Sequence, residues 1–388
     1  MNNCKINEKV IIKRFENTFA LWFQNSKSFL LLKEPAFDVF QNYVEGVPVE
    51  KITKICKKKY GHLESNIPQF VNEIIQHIQY YLNPANNDNL SQKAVVPASV
   101  SPKSLLSPVN YKTGNKIVSV YYGSERIKFA IHPLIAHLET DENKDLQHTI
   151  ECFENNGLLI SKYNGKIVEA FRTSDVEYFT GGVRQLMYSI LYNTGYNNWM
   201  SMLHASGITA GNRAILFSAA AGSGKSTISA ILKAHGYGFL GDDFIATGKN
   251  GNAFAFPAAI SIKEGSVKTL SEFYPELTNV QTVQTFIGKS VKYIPVFNLI
   301  NEWKKGTPVT AFVFVQFSKS GEFIFENVKK TDALQLLLKE TWVNPEPEIV
   351  TRFFNWIEKT PFYKLQYSQT QQALDAVKQI LATAPTTF

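Results

Sequence analysis

The chain has 388 residues, 44% of them apolar and 13% aromatic, which is material for two or three packed units rather than one. No apolar run reaches the roughly 18 residues of a membrane span, and charges at Lys5, Glu8, Lys9, Lys13 and Arg14 break any signal-peptide pattern at the N-terminus. A net charge of +7 fits an acidic ligand such as a nucleotide or an acidic peptide, whereas nucleic acid would call for a concentrated basic stripe that the sequence lacks.

Three strand-type stretches come first: VIIKRF, FALWFQ and SFLLL. A helix follows in EPAFDVFQNYVEG, where Phe37, Phe40 and Val44 recur at helical spacing and Gly46 is the stop. A second helix, VEKITKICKKKYG, is expected to turn Ile52 and Ile55 inward, to end on Lys57, Lys58 and Lys59, and to stop at Gly61. The third runs from about Pro68 to Leu82, with Phe70, Ile74, Ile75 and Ile78 as its apolar stripe. A small sheet followed by three helices is a winged-helix-like arrangement, expected over residues 8–83. Residues 84–110 are rich in Pro, Asn and Ser and read as an extended linker.

Residues 111–388 form the second predicted domain. KIVSVYYG, IKFAIH and LLISKYNGKIVEAF read as short strands, and residues 182–200 as a helix carrying Val183, Leu186, Met187, Ile190 and Leu191. Beyond residue 250, VTAFVFVQF and EFIFENV are strand-like, and helices are expected at 331–340, 346–359 and about Gln371 to Ala382. Cys4, Cys56 and Cys152 lie far apart and make no metal-ligand pair, so a reducing cytoplasm is the expected compartment.

The central stretch is AILFSAAAGSGKSTISAILKA, residues 214–234. An apolar strand leads into a loop of small residues and then a helix, which is the context a phosphate-binding loop requires. Gly222 and Gly224 let backbone N–H groups turn toward phosphate oxygens, with Ser223 between them. The following helix, carrying Thr227 in its first turn, aims its positive end at the same phosphates. Lys225 is the point charge for β- and γ-phosphates, and the Ser226 hydroxyl is placed to ligate Mg2+. The pattern departs from G-x-x-x-x-G-K-[ST] at its first glycine, which is Ala219 here; alanine is tolerated there if φ stays negative.

Downstream, YGFLGDDFIAT delivers Asp242 and Asp243 at the end of an apolar strand, where ligands bind in open α/β sheets. One carboxylate can hold the metal and the other accept a proton from an attacking hydroxyl. Upstream, His204 stands in SMLHASGITAGNRAI, shortly before the strand that feeds the loop.

Together these residues resemble the HPr serine kinase/phosphatase superfamily, whose core is shared with ATP-dependent phosphoenolpyruvate carboxykinase. That family's order is a histidine in an H-x-x-G-like stretch, a short hairpin, the phosphate loop and an Asp-Asp strand end, and the stretch 203–247 follows it. The resemblance implies an α/β chain (α+β overall) with a P-loop core and ATP and Mg2+ as cofactors. It implies catalytic roles for His204, Lys225 and Asp242, Asp242 as general base and Asp243 as partner of Ser226 at the metal; the reverse order within the pair satisfies it equally. FAFPAAISIKEGSV and VKYIP resemble elements of divergent members, which makes Lys263 and Lys292 candidate phosphate or substrate contacts. The glycine-rich downstream signature linked to HPr recognition is not recognisable, so the resemblance extends neither to HPr as substrate nor to phosphatase activity. HPr kinases form hexamers, and an oligomer is expected by analogy.

LLLKEPAFDVFQNYVEGVPVEKITKICKKKYG resembles PqqD-like domains, which bind leader peptides in ribosomal peptide maturation by strand addition. The reading of residues alone leaves a generic packing or dimerisation module open, and Lys57–Lys59 as either phosphate contacts or a solvated helix end. The combined expectation is a cytoplasmic kinase that phosphorylates a serine or similar hydroxyl of a precursor peptide captured through residues 8–83. The alternatives are a small-molecule or carboxykinase-like phosphotransferase, and a nucleotide-gated binding module with little turnover.

Overall fold

The computed structural model describes residues 9–62, 66–86, 94, 96–97, 99–142, 147–219, 222–285, 288–297 and 305–383. Cys4 and Glu8 lie outside them. The chain is mixed α/β and divides into two compact units. No helix among the described residues is long and apolar enough to cross a membrane.

The first unit contains a three-stranded antiparallel sheet, Val10–Phe15, Thr18–Phe23 and Ser28–Lys33, followed by helices Glu34–Val44, Val49–Tyr60 and Ile67–Leu82. The first helix stops as expected: Gly46 has φ of 82°, its N–H bonds to the Tyr43 carbonyl, and that of Val47 to Asn42. The second helix buries Ile52, Cys56 and Tyr60, four residues apart, so Ile55 faces out rather than in. Lys59 is held by Asp38 at 2.7 Å.

The middle strand of the small sheet is buried on both faces. Leu21 and Phe23 pack with Phe37, Phe40 and Ile78 of the helices. Ala20 and Trp22 point the other way and are equally inaccessible. That second face needs a cover, which explains why this unit also takes in Lys329–Lys339 and Pro345–Glu358. Phe354 meets Phe15 and Phe29 edge-on at 6.1 and 5.9 Å, and Lys13 pairs with Glu358 at 2.6 Å. Both late segments lie within 111–388, the range expected from the sequence to form the second domain, and they belong instead to the first unit. Short-range periodicity identified them as helices but gave no sign of which sheet they cover.

The second unit spans the remaining segments. Part of the expected linker packs onto it: the Ala94 N–H bonds to the Ala170 carbonyl, and Val96 and Val100 lie against Phe153, Ile160 and Ala170. A five-stranded sheet covers 109–172. Within it IKFAIH belongs to a helix, Glu125–Ile135, not to a strand. Ser124 caps that helix by accepting from the Ile127 N–H, and Ile127, Ile131 and Ile135 form its buried stripe. The helix expected at 182–200 is Val176–Leu191; Trp199–Leu203 is already a strand.

The larger sheet is mixed and ten-stranded. The Ala214–Ser218 strand lies between Ser206–Thr209, antiparallel to it, and Thr307–Phe317, parallel to it; Phe362–Tyr367 continues the parallel set. Gly238–Gly241 flanks Ser206–Thr209 on the far side, again antiparallel. This arrangement decides where the chemistry collects. The strands Gly238–Gly241, Ala214–Ser218, Thr307–Phe317 and Phe362–Tyr367 all end at one edge, and the antiparallel Ser206–Thr209 begins there.

Candidate functional site

At that edge the glycine loop joins the Ala214–Ser218 strand to the Lys225–Ala234 helix. Gly222 and Gly224 have φ of 89° and 102°, a backbone that L side chains avoid. Ala219 keeps φ out of that region and its carbonyl accepts from Lys225 Nζ at 3.0 Å, so the missing first glycine is accommodated. Ala220 and Ala221 lie outside the described residues. Helix and hairpin are joined by polar contacts: Ser206 Oγ donates to the Lys225 carbonyl at 3.1 Å and accepts from Ser229 Oγ at 2.7 Å. Gly207 fills a place where a Cβ would stand 2.8 Å from both Ile245 and Leu216 side chains, which accounts for the glycine three residues after the histidine.

His204 precedes the Ser206–Thr209 strand and therefore meets the ends of its neighbours. Its Nε2 lies 3.2 Å from Lys225 Nζ and 3.4 Å from Asp243 Oδ1. Its Nδ1 lies 2.6 Å from Glu340 Oε2, and its backbone N–H donates to the Glu340 carbonyl at 2.9 Å. A carboxylate can only accept, so Nδ1 carries the proton. Nε2 is then free to accept from Lys225 or, when protonated, to donate to Asp243. The hydrogen bond to Asp243 raises the His204 pKa, against burial and the Lys225 charge.

Asp242 and Asp243 follow the Gly238–Gly241 strand directly. Asp243 adopts φ of 61°, a left-handed turn that lets successive side chains face one region instead of alternating. The two carboxylates sit in different surroundings. Asp242 is 2% exposed; its Oδ2 accepts from the Ser261 N–H at 3.0 Å, and its Oδ1 is buried with no hydrogen-bond partner. Burial first, and the Asp243 charge second, push the Asp242 carboxyl up to about 7, with Ser226 among the neighbours that oppose the rise. The Asp243 side chain is 42% exposed. Partial desolvation raises it, but the His204 hydrogen bond and the Lys225 and Arg184 charges outweigh that and bring it to about 2. Burial lowers the Lys225 pKa, with both aspartates and Glu340 opposing.

Lys225, His204, Asp242, Asp243 and Ser226 are thus brought together. Thr227 bonds to Ser266 at 2.8 Å, and Lys263 is exposed but near enough to act on Lys225. Lys292 is not delivered in the same way: its ammonium donates to the Leu277 carbonyl at 2.7 Å, a structural contact. Two charged participants escaped the sequence reading. Glu340 arrives from the segment before the Thr341–Val343 strand, which pairs with Trp199–Leu203. Arg184 comes from the Val176–Leu191 helix, lies 4.9 Å over the Phe244 ring, and acts on Asp243. Neither stands in a recognisable motif.

Among the described residues no three His, Cys, Asp or Glu side chains form a complete metal cluster. A cation here would share its ligands with phosphate oxygens, which is how Mg2+ is commonly held. The orphaned Asp242 Oδ1 beside Ser226 fits that role, since a cation would supply the missing partner.

No protein-family model matches the chain, and the comparison with curated proteins gives no match.

Proposed function

We propose that the chain is an ATP-dependent kinase of the HPr-kinase-like type, with a P-loop core shared with phosphoenolpyruvate carboxykinase, that phosphorylates a hydroxyl of a ribosomally made precursor peptide. The observation that carries this reading is the convergence of Lys225, Ser226, His204, Asp242 and Asp243 at one sheet edge around a loop with two left-handed glycines. A lysine and a glycine loop at a helix N-terminus suit a triphosphate, and two carboxylates with unlike environments suit phosphoryl transfer.

In this reading the loop and Lys225 hold the β- and γ-phosphates. Mg2+, when bound, neutralises charge developing on the phosphate oxygens, and Ser226 with Asp242 Oδ1 would hold it. Asp243, the more exposed carboxylate, accepts the acceptor's proton as its oxygen bonds to the γ-phosphorus. The bond from that phosphorus to the β-phosphate oxygen breaks, and ADP leaves with the electron pair. His204 Nε2 stands where it can relay the proton from Asp243, with Glu340 fixing its tautomer. Burial and the orphaned oxygen favour Asp242 at the metal and Asp243 as the base, the reverse of the order that the family resemblance gives first.

The N-terminal unit supports capture of a leader peptide only through its resemblance to PqqD-like domains and its small sheet with three helices. A tether of this kind raises the effective concentration of a distant acceptor residue. The unit also takes in Lys329–Lys339 and Pro345–Glu358, the latter against its sheet, so a deletion of residues 8–83 would strip buried apolar surface rather than remove a free module. The test is the mass of a candidate precursor peptide after incubation with Mg2+ and ATP. A gain of one phosphate with wild type, absent with Asp243→Asn and Lys225→Ala, supports the reading. Tight nucleotide binding with no peptide or small-molecule phosphorylation would sink it in favour of a binding module.

A further inference from the structure

The glycine loop has different neighbours on its two sides. On one side, across the Ser206–Thr209 strand, stand Asp242 and Asp243. On the other, the parallel strands Thr307–Phe317 and Phe362–Tyr367 end in aromatic residues. Register makes Phe317 stand proud of the edge: Ser218, the last residue of the loop's own strand, pairs with Phe314, so Phe317 lies three residues further along. Its backbone N–H donates to the Ser223 carbonyl at 3.0 Å, and its Cβ lies 3.3 Å from where a Gly224 Cβ would be. Although wedged against the loop, Phe317 is 41% exposed. Tyr367 supports it edge-on, with ring centroids 5.5 Å apart.

Tyr367 supplies a second, independent sign. It is only 1% exposed, its hydroxyl has no hydrogen-bond partner, and that hydroxyl lies 3.5 Å from the Gly224 Cβ direction. A buried hydroxyl without a partner is costly, and one standing beside Gly224 of the loop has its natural acceptor in a ligand oxygen. A triphosphate lying across the loop with its terminal phosphate toward the aspartates would carry its other end to the aromatic side. Flat apolar rings there suit a nucleobase, which stacks on an aromatic face.

We propose that the Phe317 ring is the platform on which the base of the bound nucleotide stacks, and that the Tyr367 hydroxyl donates to a nucleotide oxygen beside Gly224. This rests on the nucleotide reading above and adds a base subsite to it.

Calorimetric titration of the full chain with Mg2+–ATP and with Mg2+–tripolyphosphate, which lacks base and ribose, tests both halves. Phe317→Ala should weaken ATP by about 5- to 150-fold, the range of one base–aromatic stack, and leave tripolyphosphate unchanged. Phe317→Leu, which keeps apolar bulk beside Gly224 without the ring, should show the same selective loss. Tyr367→Phe should weaken both ligands alike, by roughly fivefold. Wild type that binds neither ligand overturns the nucleotide reading itself. Wild type that binds both, with the Phe317 variants lowering neither or lowering both equally, overturns the base platform alone, and an unchanged Tyr367→Phe overturns the hydroxyl's part.

Discussion

The loop site and the small N-terminal sheet are built by opposite means. From His204 to Asp243 the chain stays within one hairpin, one loop, one helix and one strand, and those few elements bring five candidate side chains to a single edge. The small sheet also begins from contiguous residues, yet its second face is closed by the Pro347–Lys359 helix, more than 300 residues away in sequence. A site that needs exact placement of polar groups is drawn from local structure, where backbone geometry sets distances. An apolar face needs only a cover of suitable shape, and that can come from anywhere along the chain.

The largest expected effect falls on the local side. Asp243→Asn should lower kcat for peptide phosphorylation by roughly 10²- to 10⁴-fold, the worth of a positioned general base, while ATP affinity is kept. A loss confined to KM would contradict the role given to Asp243. On the distant side, Phe354→Ala removes a ring 1% exposed and should destabilise the protein by about 3–5 kcal/mol in urea unfolding. An effect on the scale of a surface mutation would mean the helix is a loose appendage. Glu340→Gln sits between the two, since Glu340 reaches His204 from outside the local stretch. It keeps a hydrogen-bonding side chain but loses the charge that fixes the imidazole, and kcat should fall about 10- to 100-fold with little change in unfolding.

The smallest effect concerns stability and pH. Asp242 has its pKa raised on folding, so between the ordinary carboxylate range and about 7 the folded state binds the extra proton. Stability contributed by the protonated form is present at low pH and is lost as pH rises through that window. Asp242→Asn removes the dependence. Without nucleotide or metal its melting temperature, relative to wild type, should therefore be higher at pH 8 than at pH 4, and added Mg2+–ATP should stabilise wild type more than the variant. A difference that does not vary with pH would refute the burial argument.

How much was legible in the sequence follows the same division. The loop and the aspartate pair were readable because each rule involved acts over a few residues, whereas His204 stood out only through the family resemblance. Glu340, Phe317 and Tyr367 were not, because strand order brings them to the edge, and neither was Arg184, which a helix contributes; nothing in their own neighbourhoods marks them. The segment around Ile127 shows local reasoning failing in a short window. Ile127, Phe129 and Ile131 alternate as a strand would, but the Ser124 cap and the four-residue spacing out to Ile135 favour a helix that leaves Phe129 42% exposed. Ile55 was placed inward by the same limited view, although Cys56 and Tyr60 carry the buried face.

The most direct test of the central claim is phosphate transfer from γ-labelled ATP, in the full chain, to a precursor peptide and to the same peptide without its leader. Label is expected in both peptides at saturation, with the leaderless form needing about 10²- to 10⁴-fold higher concentration because the tether no longer supplies effective concentration. Label that remains in ATP, or that reaches both peptides with the same concentration dependence, would contradict it.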